Sequence, residues 1–272
     1  MVGDGIRTGG GTPELTRELR ADYDTAAGDW AGGLTGPGPM YAALARSLVA
    51  AAPVPLAGRL VLDLGAGTGV AGRAALAAGA RRVVAADLSE GMLRRGRGGT
   101  PLVADAVALP FRDHSFDLVL AAFCLGHLDR PVAGLREARR VAPALAASSF
   151  AAGWNHPAKA AVDEVLASFG YRPPPWYVTF KQNTEPWASD PDALGRDTAA
   201  AGYTDVRLRS VTVDTGRSSP AELASWRLGM AHVAPFVGAL TVPRRAELRR
   251  AAEAAVTGAG PLVVDMLILT AR

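Results

Sequence analysis

The stretch Leu60-Val61-Leu62-Asp63-Leu64-Gly65-Ala66-Gly67-Thr68-Gly69-Val70 decides how the rest of the chain is read. An apolar run with one carboxylate near its end meets three glycines at alternate positions, and an alanine-rich, helix-forming segment follows. The pattern predicts a buried strand, a tight turn and a helix start. Glycine suits such a turn because no side chain holds the backbone away from a ligand. The unpaired N–H groups at the helix start can then meet the ligand's polar atoms.

Working outward, strand and helix alternate. Val70–Ala78 predicts a helix and Arg82–Ala86 a second strand closed by Asp87. Ser89 caps a short helix through Arg95. Leu102–Ala104 and Phe116–Phe123 read as further strands, Pro131–Val141 as a helix with proline at a favourable first position, and Leu145–Ala151 as a fifth strand. This rhythm predicts an α/β fold, a parallel sheet with helices on both faces. Upstream, Met1–Thr12 reads as a disordered tail, and Thr12 as the cap of a helix over Pro13–Trp30. A break at Gly32–Pro39 precedes a helix over Met40–Ala52, ended by Pro53 and Pro55. The rhythm fails at Trp154. From there to about Asp190 lie Asn155-His156-Pro157, a proline triplet at 173–175, a helix at Ala158–Phe169 and clustered aromatics. That length predicts an inserted helical cap over a site. Asp192–Ala201, Ser219–Val237 and Arg244–Thr257 predict helices; Asp205–Val213 and Pro261–Thr270 predict strands.

The 272 residues have ample length for a sizeable core. The formal charge of +3 makes no case for nucleic acid or an anionic membrane as partner. Lysine occurs twice, at Lys159 and Lys181, so the basic charge is nearly all arginine, the bias of a GC-rich bacterial genome. Cys124 is the only cysteine, which excludes an intrachain disulfide and a Cys-rich zinc site. No signal peptide and no run of transmembrane length is evident, so the expectation is a cytoplasmic protein.

Gly67-Thr-Gly69-Val-Ala-Gly72 formally matches the dinucleotide fingerprint, with Asp87 at a fitting distance. Asp63 argues against it, because a carboxylate there repels a pyrophosphate and attracts an ammonium. A ligand with an amino-acid end and no phosphate fits better. Asp63-Leu-Gly65-Ala-Gly67-Thr-Gly69 in fact resembles the first motif of class I S-adenosylmethionine (SAM) methyltransferases. Asp87-Leu88-Ser89-Glu90-Gly91-Met92-Leu93 resembles the second-strand motif of their type 11 branch. Ala104-Asp105-Ala106-Val-Ala-Leu109-Pro110-Phe111, Ser115-Phe116-Asp117-Leu118-Val119 and Glu137-Ala138-Arg139-Arg140-Val141 resemble the motifs that follow. The match runs from Leu60 to Val141. Where the family usually has Lys-Pro-Gly-Gly, this chain has Ala142-Pro143-Ala144-Leu145, which alters a turn and leaves the SAM motifs intact.

The resemblance implies a Rossmann-like, mostly parallel sheet of seven strands with an antiparallel last strand. Together with the break at Trp154, it divides the chain into an N-terminal tail and helical segment (1–55), a SAM-binding core (56–153), the cap (154–201) and a C-terminal completion of the core (202–272). It implies SAM as cofactor, S-adenosylhomocysteine as product, and the following roles. Gly65, Ala66 and Gly67 lie against the methionine portion, and Asp63 meets its ammonium. Asp87 accepts both ribose hydroxyls, in charged hydrogen bonds each contributing about 1.5–3 kcal/mol. Leu88 and Met92 sandwich the adenine, Met92 fitting an ordinary core position equally well. Asp105 and the Ala106 N–H meet the adenine edge; Ala121, Ala122 and Phe123 lie beside the sulfonium. Tyr23, in Tyr23-Asp24-Thr-Ala-Ala, resembles the tyrosine of an opening helix that closes over SAM; simple helix packing explains it as well.

For catalysis, His127 and His156 follow the fourth and fifth strands at the carboxyl edge where such sheets bind ligands, and either can be the general base. Positioning alone is the other account of methyl transfer. His114 reads as a surface residue, and His232 as lying on a late helix. Trp154, Trp176, Tyr177, Phe180 and Trp187 can line an apolar acceptor pocket or simply fill the cap. No Asn/Asp-Pro-Pro-Tyr/Phe follows the fourth strand, where enzymes that methylate base amino groups carry it. The acceptor expected is therefore a small molecule, such as a specialised metabolite, methylated on O, N or C. A cyclase using the same pocket, or a non-catalytic SAM-binding partner protein, are the alternatives.

Overall fold

The computed structural model describes residues 13–31 and 36–272. The expectations for the tail and for Thr12 as a cap, with part of the Gly32–Pro39 break, lie outside the described residues. Two N-terminal helices, α1 (Pro13–Ala31) and α2 (Gly38–Ala50), precede a regular alternation: β1 (Leu60–Leu64), α3 (Val70–Ala77), β2 (Arg82–Asp87), α4 (Glu90–Arg95), β3 (Thr100–Val103), β4 (Leu118–Ala122), α5 (Pro131–Val141) and β5 (Leu145–Phe150). Between β5 and the next strand stand α6 (Pro157–Ser168), α7 (Pro175–Thr179), α8 (Glu185–Ser189) and α9 (Pro191–Ala200). The chain then closes through β6 (Arg207–Asp214), α10 (Pro220–Leu228), α11 (Ala234–Ala239), α12 (Val242–Ala255) and β7 (Val263–Ala271).

The seven strands lie in the order β3-β2-β1-β4-β5-β7-β6. β1 to β5 are parallel, and β7 runs antiparallel between β5 and β6. Helices cover both faces, so β4 and most of β1 can be apolar throughout; Val61, Leu62, Leu118, Val119 and Leu120 are fully buried. The strand order reverses between β1 and β4, and the carboxyl ends of these strands diverge there into a crevice.

Differences from the expected elements have local causes. Ser219–Val237 is two helices rather than one. Gly229 ends α10, and its carbonyl accepts the Trp30 indole N–H at 3.0 Å. His232 therefore sits in the loop before α11, off any helix. β4 begins at Leu118, because Phe116 N–H goes to Val141 O and so leaves the strand ladder. The stretch Phe180–Thr184, between α7 and α8, is a π-type turn, which periodicity does not reveal. Among the described residues no helix is long and apolar enough to cross a membrane.

Candidate active site

β1 delivers Asp63 to the crevice. The residue is 1% exposed. Its Oδ2 accepts the Gly72 N–H at 2.8 Å at the start of α3, while its Oδ1 is buried with no hydrogen-bond partner among the described residues. Burial pushes the carboxyl up to about 7, against the pull of the Gly72 N–H. Gly65 and Gly67 then turn the chain with φ of 65° and 54°. A Cβ on Gly65 would meet Cys124 Sγ at 2.5 Å, whereas one on Gly67 would stand in open space. The turn is therefore floored on one side by Cys124 and open on the other.

Asp87, at the end of β2, ties two turns together. Its Oδ2 accepts the Gly67 N–H at 2.7 Å and its Oδ1 the Ser89 N–H at 2.8 Å. Burial raises its pKa, and these backbone N–H groups oppose the rise. A carboxylate offers about four acceptor positions, more than these backbone N–H groups fill, so capacity is left for a ligand. Ser89 caps α4 as expected, accepting the Met92 N–H at 3.1 Å. Met92 is buried against Ala26 and Ala27 of α1. Asp105 is exposed, its Oδ1 taking the Val107 N–H at 3.0 Å. Glu137 and Arg140, in the last motif of the core, fasten the loop after Asp105, through the Leu109 N–H and the carbonyls of Leu109 and Phe111.

Tyr23, Asp63, Gly65, Ala66, Gly67, Asp87, Leu88, Met92, Asp105, Ala106, Ala122 and Phe123 line one cavity, together with His127. Phe123 has φ of 53°, a left-handed conformation costing a bulky residue of order 1–3 kcal/mol. It turns the chain off β4 into a short 3-10 turn, Leu125–His127, which presents the imidazole. His127 Nε2 lies 3.3 Å from the Tyr23 hydroxyl, and its Nδ1 is buried without a partner among the described residues. The ring stacks on Phe180 at 4.4 Å between centroids, which is what the π-type turn achieves. Burial lowers its pKa to about 4, so the imidazole is neutral near pH 7.

A second cavity opens on the other side of His127, beneath the cap. Of the aromatics that could either line a pocket or fill the cap, Trp154, Trp176, Tyr177 and Phe180 line this cavity. Trp187 does not; its indole donates to Asp197 Oδ2 at 2.8 Å. His156 lines neither cavity, and its assignment as a base is corrected. Its Nδ1 accepts the Ala158 N–H at 3.2 Å as the cap of α6, so its Nε2 carries the proton and donates to Pro261 O at 3.1 Å. A His-Pro pair opening a helix was the available signal for that role. Sequence reasoning also missed Tyr41, which lines both cavities, and Asp24, which accepts from the Ser89 hydroxyl at 2.6 Å and the Gly91 N–H at 2.7 Å. The neighbour of a pocket tyrosine on the same helix was the only hint of Asp24.

A family model described as a methyltransferase domain matches residues 62–143. A protein of Clavibacter sepedonicus named demethylmenaquinone methyltransferase is 50% identical over 97 residues, 33% of this chain and 39% of that protein. One of the same name from Thermobifida fusca (strain YX) is 34% identical over 189 residues, 61% of this chain and 78% of the relative. Phosphoethanolamine N-methyltransferase 2 of Haemonchus contortus, solved in complex with S-adenosyl-L-methionine, shares the fold with a TM-score of 0.55 at 18% identity, over 96% of this chain and 60% of that one.

Proposed function

This chain belongs to the class I SAM-dependent methyltransferases, and we propose that it methylates a small molecule held beneath the cap. One observation carries the proposal: Tyr23, Tyr41 and His127 line both cavities, so the donor cavity and the cap cavity share a wall. The two cavities therefore adjoin at these three side chains, which would sit beside both the donor methyl and an acceptor brought up to it.

The donor cavity fits SAM by its own chemistry. Asp63 Oδ1, buried and unpartnered, suits an ammonium. The open side of Gly67 admits the methionine portion, and the free acceptor positions of Asp87 suit ribose hydroxyls. Leu88 and Met92 flank the place for adenine, and Asp105 with the Ala106 N–H can read its edge. When bound, SAM supplies a methyl on a sulfonium, a carbon already activated for displacement. The enzyme's own task is then to hold the nucleophile in line, worth about 7–11 kcal/mol at best. His127 is neutral, and because its Nδ1 is closed off, the nitrogen open to a proton is Nε2, 3.3 Å from the Tyr23 hydroxyl, through which the proton of an acceptor hydroxyl can pass. With a pKa near 4 it is a weak base, which puts its contribution near the lower end of the usual range, about 10²-fold.

The relatives are named for demethylmenaquinone. The flat walls of the cap cavity suit a planar, partly apolar acceptor, a quinone or an aromatic specialised metabolite. The test is methyl transfer to a panel of such rings. His127→Ala should lower kcat about 10²-fold with little change in the KM for SAM. Full turnover in both His127→Ala and Tyr23→Phe would leave positioning as the whole account. Asp87→Ala should weaken S-adenosylhomocysteine binding about ten- to hundredfold; unchanged affinity would sink the ribose assignment.

A further inference from the structure

Of the 29 lysine and arginine residues, two are lysines, and both line the cap cavity. In a chain that otherwise uses arginine for positive charge, these two positions carry a compact ammonium and not a planar guanidinium. Lys159 stands on α6 and Lys181 in the π-type turn. Lys181 pairs with Glu185, the one carboxylate lining the cavity among the described residues. Arg227, 5% exposed, also lines the cavity, but both its contacts with Asp163, at 2.6 and 2.9 Å, fix it from the side. Lys159 has no ion pair among the described residues. It is partly buried, and burial and the nearby charges of Lys181 and Arg227 depress its pKa, with the carboxylates of Glu185 and Asp163 only partly opposing the fall. An excess positive charge in such a place costs free energy unless an anion meets it.

Two further groups on this wall lack partners. Trp226 Nε1 and His232 Nε2 are buried without a hydrogen bond among the described residues, and both residues line the cavity. An indole N–H can only donate, so it calls for an acceptor atom. His232 lies flat against Tyr177, with centroids 3.6 Å apart and planes within 4°, which leaves its ring edge for polar contact. Around these groups stand Phe150, Trp154 and Trp176, faces against which a planar ring can stack.

We propose that the cap cavity selects an aromatic acceptor carrying a carboxylate, with Lys159 meeting the carboxylate and the aromatic walls holding the ring. This rests on the reading that the cap cavity is the acceptor site. It narrows the acceptor from any flat small molecule to an acidic one.

The experiment compares arenes in matched pairs that differ only in carboxylate or carboxamide: benzoate and benzamide, 2-naphthoate and 2-naphthamide, 3-hydroxy-2-naphthoate and its amide. Each is titrated into protein saturated with S-adenosylhomocysteine and followed by quenching of tryptophan fluorescence. At least one carboxylate should bind tenfold or more tightly than its amide, and salt should weaken that preference. Lys159→Gln should reduce it to within about twofold while leaving amide binding unchanged, and Lys159→Arg should retain part of it. The proposal is overturned if no pair favours the carboxylate, or if the preference survives Lys159→Gln. Thermal unfolding of each variant reports whether the fold is intact. S-adenosylhomocysteine titration of the same samples separates the two readings. Its failure in wild type would strike the methyl-transfer reading; a lost carboxylate preference with that binding intact strikes only this one.

Discussion

Asp63 shows what one residue adds to the turn that follows it. Its carboxyl is raised to about 7 because burial disfavours the charge more than the Gly72 N–H favours it. A ligand ammonium beside Oδ1 stabilises the charged form, so binding expels the proton that Asp63 holds below pH 7. The sign follows: affinity for S-adenosylhomocysteine should rise with pH, by up to about tenfold per unit between about pH 5 and 6.5, and flatten above pH 8. Calorimetry in buffers of different ionisation enthalpy should detect the released proton. In Asp63→Asn this component should vanish and affinity at pH 7.5 should fall about tenfold or more, the loss of a charged hydrogen bond. A slope unchanged by Asp63→Asn would refute the ammonium contact. The place of Asp63 in the cavity was legible because strand, carboxylate and glycines are contiguous in the chain. The difference between His127 and His156 was not. Both follow a parallel strand at the same edge, and only the fold reveals that Pro261 O and the Ala158 N–H occupy both nitrogens of His156.

Among the elements, α1 and α4 explain each other. The segment Glu90-Gly91-Met92 looks like a poor helix start, because glycine weakens a helix by about 1 kcal/mol relative to alanine. The reason lies on α1, whose Asp24 accepts the Gly91 N–H. A Cβ on Gly91 would stand 2.9 Å from Asp24 Cα and 3.1 Å from its carbonyl oxygen. Gly91→Ala should therefore lower Tm and weaken S-adenosylhomocysteine binding, although helix propensity alone predicts a gain. A raised Tm would mean that α1 does not rest on α4. Alternation of apolar strands and alanine-rich helices made β1, α3, β2, α5 and β5 readable to within a residue or so. The contact of α1 with α4 joins residues more than sixty positions apart, and no local pattern encodes it. The same holds for the π-type turn, whose purpose, Phe180 against the His127 ring, exists only once the cap is folded over β4.

Across the whole molecule, the two cavities are covered by elements that hold each other. α1 lines the donor cavity through Tyr23, and α7 walls the cap cavity through Trp176. The Trp176 indole donates to Asp22 Oδ2 at 2.7 Å, one residue before Tyr23, and the Tyr23 and Trp176 rings lie 6.2 Å apart. Asp22 is partly buried and its pKa is raised by that burial, so its carboxylate gains from the indole N–H. Ordering α1 over a bound donor must then also order α7, which does not line the donor cavity. Coupling of this kind is reciprocal and typically amounts to about 1–3 kcal/mol. Hydrogen exchange reads it without any acceptor present. S-adenosylhomocysteine should slow exchange in 175–179 as well as in 13–31. Trp176→Phe keeps the apolar bulk and deletes the donor N–H; it should abolish the protection of 175–179 while protection of 13–31 persists and donor affinity stays within about tenfold. Protection of both segments that survives Trp176→Phe would show that the cap senses the donor by another route, with the Tyr23–His127 contact as the next bond to cut.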